Sequence, residues 1–200
     1  AIVLAVSSLF FLTATKVVAD WSAGVSVTQG KYSATGKETE DGEINTLPST
    51  NLVEGAFTFP SIFVEKNIGI VSIGLDYIPG EVETEESSRT DNGVGDKSLT
   101  TGNDVATNKA SVSVSRHLSV YALVPITDIG AFVRVAAMRA DLETKESLGT
   151  GSTYPDATLK GASISVGYQH DFDSSFLRIE VGTSDYETVV VTGTGGNKVS

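Results

Sequence analysis

The side chains able to do chemistry in this chain are few. His117 and His170 are its whole imidazole supply, and cysteine is absent. Without thiolates there is no disulfide framework, and two imidazoles on separate segments do not make a transition-metal site. The sharpest arrangement lies in "RHLSVY", where His117 and Ser119 stand two residues apart. Residues so spaced share a face of an extended chain, which would set a general base beside a hydroxyl nucleophile. Nucleophilic catalysis also needs an acid to orient the imidazole and donors for an oxyanion. Neither can be assigned, and Ser111, Ser113 and Ser115 continue the alternation as ordinary lining, so no catalytic residue is expected.

Two other groups of charge stand out. Glu54, Asp76, Arg134, Arg178 and Glu180 interrupt the polar faces of otherwise apolar, alternating segments. If those faces are enclosed, the charges must pair, because an unpaired charge in a low dielectric is too costly. The reading is a packed plug of ion pairs, with a gate or narrow pore as the functional variant. The second group, Glu81, Glu83, Glu85, Glu86, Asp91 and Asp96, crowds the stretch "EVETEESSRTDNGVGD". Carboxylates of this kind can attract Ca²⁺ or Mg²⁺, but "DNGVGD" is too short and irregular for an EF-hand loop, and a solvated run is the simpler reading. No metal site or cofactor is expected. "GTGG" lacks the following helix that a phosphate-binding turn requires. The net charge of −11 excludes attraction to nucleic acid.

The elements that must hold these residues show in "KASVSVSRHLSVYALVPITDIGAFVRVAAM", residues 109 to 138. Even positions carry Ala110, Val112, Val114, Arg116, Leu118, Val120, Ala122, Val124 and Ile126, while odd ones carry Ser111, Ser113, Ser115, His117, Ser119, Tyr121, Leu123 and Pro125. That is a strand with one apolar and one hydroxylated face, longer than the five or six residues (roughly) of ordinary strands. A tilted transmembrane strand needs about nine to eleven residues. The same pattern recurs. Trp21, Ala23, Val25 and Val27 share a face; Val53, Phe57, Phe59 and Phe63 oppose Glu54 and Thr58; Val71, Ile73, Leu75 and Tyr77 oppose Ser72, Gly74 and Asp76. Ala131, Val133, Val135 and Ala137 oppose Phe132, Arg134, Ala136 and Met138. Ala162, Ile164, Val166, Tyr168 and Phe172 oppose Gly161, Ser163, Ser165, Gly167 and Gln169, and Leu177, Ile179 and Val181 oppose Arg178, Glu180 and Gly182.

Ahead of these strands the chain opens "AIVLAVSSLFFLTATKVVAD", an apolar run too short for a spanning helix and of signal-peptide length. Small residues at Val17 and Ala19 suit cleavage after Ala19, so residues 1–19 are expected to be a signal peptide and 20–200 the barrel domain. Seven strands follow, with connections that alternate long and short. Outer-membrane barrels have short periplasmic turns, longer outer loops and an even strand number. The expectation is therefore an all-β, antiparallel, up-and-down transmembrane barrel of eight strands, seven of them in this fragment and the last cut off.

The segments "SIFVEKNIGIVSIGLDYIPG", "KASVSVSRHLSVYALVPI" and "ATLKGASISVGYQHDF" resemble the small outer-membrane barrels of the OmpA-type superfamily of Gram-negative bacteria. The resemblance covers nearly all of the chain after the leader. It implies an eight-stranded barrel in the outer membrane, with membrane lipid and lipopolysaccharide as partners, and it implies no reaction. The function expected is non-enzymatic: envelope integrity, surface interaction or passage of small solutes. One alternative is a lipid-modifying hydrolase, since "RHLSVY" is similar to the His and Ser spacing of outer-membrane lipid A deacylases. The other is a soluble lipocalin-like barrel with the same faces inverted.

Overall fold

The structure is a computed structural model that describes residues 5–18, 20–36, 38–39, 51–83, 86–92, 105–126, 129–147, 153–194 and 198–199. In chain order the strands are β1 (Ala5–Val18), β2 (Trp21–Gly36), β3 (Glu38–Thr39), β4 (Asn51–Ile68), β5 (Val71–Ile78), β6 (Val82–Glu83), β7 (Ser87–Asn92), β8 (Val105–Pro125), β9 (Ala131–Ser147), β10 (Ala157–Asp171), β11 (Ser175–Tyr186), β12 (Val191–Thr192) and β13 (Lys198–Val199). Eight of them are long, and each pairs antiparallel with two neighbours in the order β5-β4-β2-β1-β11-β10-β9-β8. The order closes on itself, because β5 also pairs β8 from Ser72 opposite Leu123 to Ile78 opposite His117. The result is an antiparallel up-and-down β-barrel. β6 and β7 extend the β5 edge along β8, and β12, β13 and β3 form a small separate sheet.

Seven of the long strands are those read from the sequence. The eighth is residues 5–18, which pair with β2 on one side and β11 on the other. The leader expected over this stretch thus supplies backbone to the ring. Without a strand there, β2 and β11 would present two open edges, each a row of unpaired amides and carbonyls.

The short connections between β1 and β2, β4 and β5, β8 and β9, and β10 and β11 lie at one end of the barrel, with described turn residues at 20, 69–70, 129–130 and 172–174, and the longer connections leave from the other. Gly130, at φ +96, is required in its turn, since a side chain there would run into the Gln169 carbonyl.

The polarity of the barrel is inverted relative to a soluble one. Val25, Val27, Ile62, Val64, Ile73, Leu75, Val120, Val135, Ile164, Val166, Ile179 and Val181 are exposed on the outside. Ser22, Ser26, Thr28, Ser61, Glu65, Asp76, Ser119, Arg134, Ser165, Arg178 and Glu180 are buried within. This arrangement suits a bilayer, where closed pairing satisfies every backbone group and lipid meets every second side chain. Among the described residues no helix is long and apolar enough to cross a membrane.

Two stretches depart from the sequence reading. In β4 the outward face carries Pro60, Ile62 and Val64, so Phe57, Phe59 and Phe63 turn inward together with Ser61 and Glu65. Both faces of this strand are apolar, and alternation alone could not set its phase. The cross-strand partners do: Phe57 lies opposite Gly30 and Phe63 opposite Gly24, which leave room for the rings in a narrow lumen. In β8 the register slips by one residue between Ser115 and Leu118, with Arg116 in the left-handed region at φ 50. Such a bulge exchanges the faces of a strand. Below it Ser119, Tyr121 and Leu123 line the lumen; above it Val112 and Val114 do, packed against Leu142 and Leu159. Ser111 and Ser113 are therefore on the outer side, where the β5–β6 segment covers them. Ser111 donates to Glu83 at 2.9 Å, and Ser113 donates to Glu81.

Candidate functional site in the barrel lumen

The charged residues of the lumen come from four strands, and a fifth adds polar partners. β11 brings Arg178 and Glu180, β4 brings Glu65, β5 Asp76, β9 Arg134 and β10 Gln169 with Ser165. Alternation places each inward, and the antiparallel register sets their heights: Arg178 stands opposite Gln169, and Glu180 two pairs further along opposite Gly167.

Arg178, 1% exposed, is the hub. Its two terminal nitrogens donate to the two oxygens of Glu65, each at 3.1 Å, the forked geometry that makes guanidinium–carboxylate pairs strong. Nη2 and Nε also reach Gln169 Oε1 at 2.7 and 3.1 Å. The guanidinium lies 4.8 Å from the centre of the Phe176 ring and 5.2 Å from that of Phe132, so aromatic faces take up the sides that carry no hydrogen bond. Tyr121 donates its hydroxyl to Glu65 Oε2 at 3.0 Å and carries Arg134 over its ring at 4.0 Å. Arg134 in turn bridges Glu180 at 3.7 Å and Asp76 at 3.9 Å. Ser165 donates to Glu180 at 2.9 Å, Ser61 donates to Asp76 at 3.1 Å, and Ser26 bonds Ser61. Two guanidiniums thus hold three carboxylates in one connected, buried network.

Of the five interior charges expected from the sequence, the structure brings Asp76, Arg134, Arg178 and Glu180 together. Glu54 it places on the outward face at the loop end of β4, opposite Ser33, because that strand has the other phase. Glu65 takes its place as the carboxylate nearest Arg178. The signal for Glu65 was its position four residues beyond Ser61, on the face that Phe63 also occupies, and the phenylalanine disguised it.

His117 and Ser119 are not assembled for nucleophilic catalysis. Nε2 of His117 bonds the Tyr186 hydroxyl at 2.7 Å, and its buried Nδ1 has no hydrogen-bond partner among the described residues, so none of those residues is an acid that orients the ring. Ser119 stands across the strand pair from Asp76, on the far side of the bulge from the residues above it. His170 is at the turn end, edge-on to Phe172.

The acidic stretch is divided among lysines. Lys145 pairs with Glu81 at 2.9 Å and Glu83 at 3.3 Å, and Lys109 pairs with Glu86 at 2.7 Å. The hydrogen bond from Ser113 and the Lys145 ammonium hold the Glu81 carboxyl below its usual range, and the same carboxylates raise Lys145. Among the described residues no group of histidine, aspartate and glutamate is placed to hold a metal ion. Glu85 and Asp96 lie outside the described residues.

No protein-family model matches the chain, and no curated protein matches its sequence. In fold the chain is an all-β antiparallel barrel. Among solved structures it is similar to Ail, the attachment invasion locus protein of Yersinia pestis, solved in complex with the heparin analogue sucrose octasulfate. That match has 8% identity, covers 91% of this chain and 97% of Ail, and has a TM-score of 0.25.

Proposed function

We propose that this chain is a non-enzymatic barrel of the Gram-negative outer membrane, with its lumen sealed by ion pairs and its work done at the envelope surface. The observation that carries the reading is the inverted polarity: valine, isoleucine and leucine outside, with two arginines and three carboxylates buried inside. A soluble ligand-binding barrel needs the opposite arrangement, with an apolar cavity. A porin needs a wider ring, since eight strands close around their own side chains. The buried network of paired charges at Arg178, Glu65 and Arg134 favours envelope integrity or surface interaction over solute passage.

Single-channel recording in planar bilayers tests the sealed lumen. The intact chain is expected to be electrically silent, and Arg178→Ala combined with Arg134→Ala is expected to conduct. Steady conductance of the intact chain would refute the seal. The hydrolase reading would require lipid-ester cleavage that is lost in Ser119→Ala; the bond of His117 to Tyr186 speaks against it.

Residues 1–19 serve, in this reading, as the export leader, cleaved after Ala19. The length of the apolar run and the small residues at 17 and 19 support it. Mass spectrometry of the exported protein should then find Asp20 as the first residue; retention of residues 5–18 would make them the permanent eighth strand.

A further inference from the structure

On the outer wall, across β8 to β11, an open groove of about 650 Å³ is lined by Leu118, Val120, Ala137 and Ala162 and bordered by Arg139 and Lys160. Its floor is recessed because the outward residues there are alanines, where the rows below carry Val135 and Ile164. Arg139 and Lys160 stand directly opposite each other in register, on the same face. Like charges so placed repel. Arg139 shares Asp141, at 3.9 Å, with Arg116. Lys160 has no carboxylate at ion-pairing distance among the described residues. The far border of the groove is of the other sign, formed by Asp185 and Glu187; the Glu187 amide donates to the Lys160 carbonyl at 2.8 Å, which fixes the two borders side by side.

Height matters as well. Arg139 lies eight residues from the turn end of β9, which at a tilted rise is about 20 Å up an apolar band of about 25 Å. The cations therefore stand at the loop-end edge of the lipid-facing belt, with the groove running down into it.

We infer that this groove binds a phosphorylated acyl glycolipid of the outer leaflet. Arg139 and Lys160 hold its phosphate, one acyl chain lies over Ala137 and Ala162, and Asp185 and Glu187 accept hydrogen bonds from sugar hydroxyls. A phosphate satisfies both cations at once, with a planar fork from arginine and a point charge from lysine. An ordinary phospholipid would supply the phosphate and the chain but give the carboxylates little to accept from. The inference rests on the outer-membrane reading and specifies where that membrane's lipid is held.

The test uses the chain refolded in detergent micelles and incubated separately with diphosphoryl lipid A, dephosphorylated lipid A and phosphatidylglycerol. Lipid carried through size exclusion is quantified by mass spectrometry. The intact chain should retain diphosphoryl lipid A in preference to the other two. Arg139→Gln with Lys160→Gln should weaken retention about tenfold or more, the factor carried by hydrogen bonds to charged groups. Ala162→Phe, which fills the groove and leaves both cations, should weaken it too. Heat-shifted electrophoretic mobility must persist in both variants, since neither touches the lumen. Equal retention by the intact chain and the double variant, or equal retention of phosphatidylglycerol, would overturn the site. Failure of the intact chain to fold as a heat-modifiable barrel would instead overturn the outer-membrane reading, and this inference with it.

Discussion

Replacing Arg178 by methionine removes the hub of the lumen while roughly conserving its volume. Four hydrogen bonds go, two to Glu65 and two to Gln169, together with the contacts to the Phe132 and Phe176 rings. Glu65, 3% exposed, is then left buried with Tyr121 as its hydrogen-bond donor. Breaking a buried pair from one side costs about 3–5 kcal/mol, because the surviving charge cannot be rehydrated. Removing both sides is different: a well-packed apolar pair of similar volume is about neutral, or more stable by about 1–4 kcal/mol. Arg178→Met should therefore lower the urea midpoint of the barrel in lipid vesicles severely, and adding Glu65→Leu should restore it. The cycle, read by band shift and by Trp21 fluorescence, should give a coupling of about 3 kcal/mol or more. If Arg178→Met costs less than about 1 kcal/mol, the value of a solvated pair, and the two changes are additive, the lumen is wet and the sealed-plug argument fails.

Ile179→Arg, on the lipid face of β11, should cost about 2–4 kcal/mol in a bilayer, while Glu143→Arg on the outer extension should cost little; equal effects in vesicle unfolding would mean that Ile179 does not meet lipid. Gly74→Ala should destabilise by about 1–3 kcal/mol through overpacking, since its new methyl would overlap the Tyr121 ring, and the loss should shrink when Tyr121 is reduced to leucine. The cover of β8 should depend on pH at both extremes. The Glu81 carboxyl is lowered from its ordinary 4.5, so its contribution is present above that value and lost as pH falls through the lowered one. The Lys145 ammonium is raised from 10.5, so its contribution is present below that value and lost as pH rises through the raised one. Hydrogen exchange at Ser111 and Ser113 should quicken at both ends, and a flat profile would refute the assignment.

Where the two faces of a strand differ chemically, the sequence was sufficient. In β10, isoleucine and valine on one face oppose serine and glycine on the other, and Ser165 is found inside, as the membrane-barrel reading of that alternation expects. β11 likewise delivered Arg178 and Glu180 to the lumen, and β9, whose alternation is less clean, delivered Arg134. The misreadings have local causes. β4 is apolar on both faces, and only the glycines opposite its phenylalanines, on another strand, decide which face turns inward. The serine run of β8 reads as one continuous lining, yet a one-residue slip at Arg116 turns its upper half outward, and no residue type announces a bulge formed by an arginine. Residues 5–18 carry the composition of a leader rather than an alternation, so their pairing with β2 and β11 is a property of the open edges they meet.

The central claim is that the apolar face of the barrel meets lipid, and the chain's one tryptophan can report on it directly. Trp21 begins β2 at the turn end of the outward face, with the Lys66 ammonium 5.3 Å from its ring. The chain should be refolded into phosphatidylcholine vesicles whose acyl chains are brominated near the headgroup, and its emission compared with that in unbrominated lipid. Blue-shifted emission strongly quenched by the bromines, with sheet circular dichroism that appears only when lipid is present, is the predicted result. Unquenched, solvent-like emission from a chain that is equally folded in plain buffer would contradict the account, and the inside and outside of the barrel would have to be exchanged.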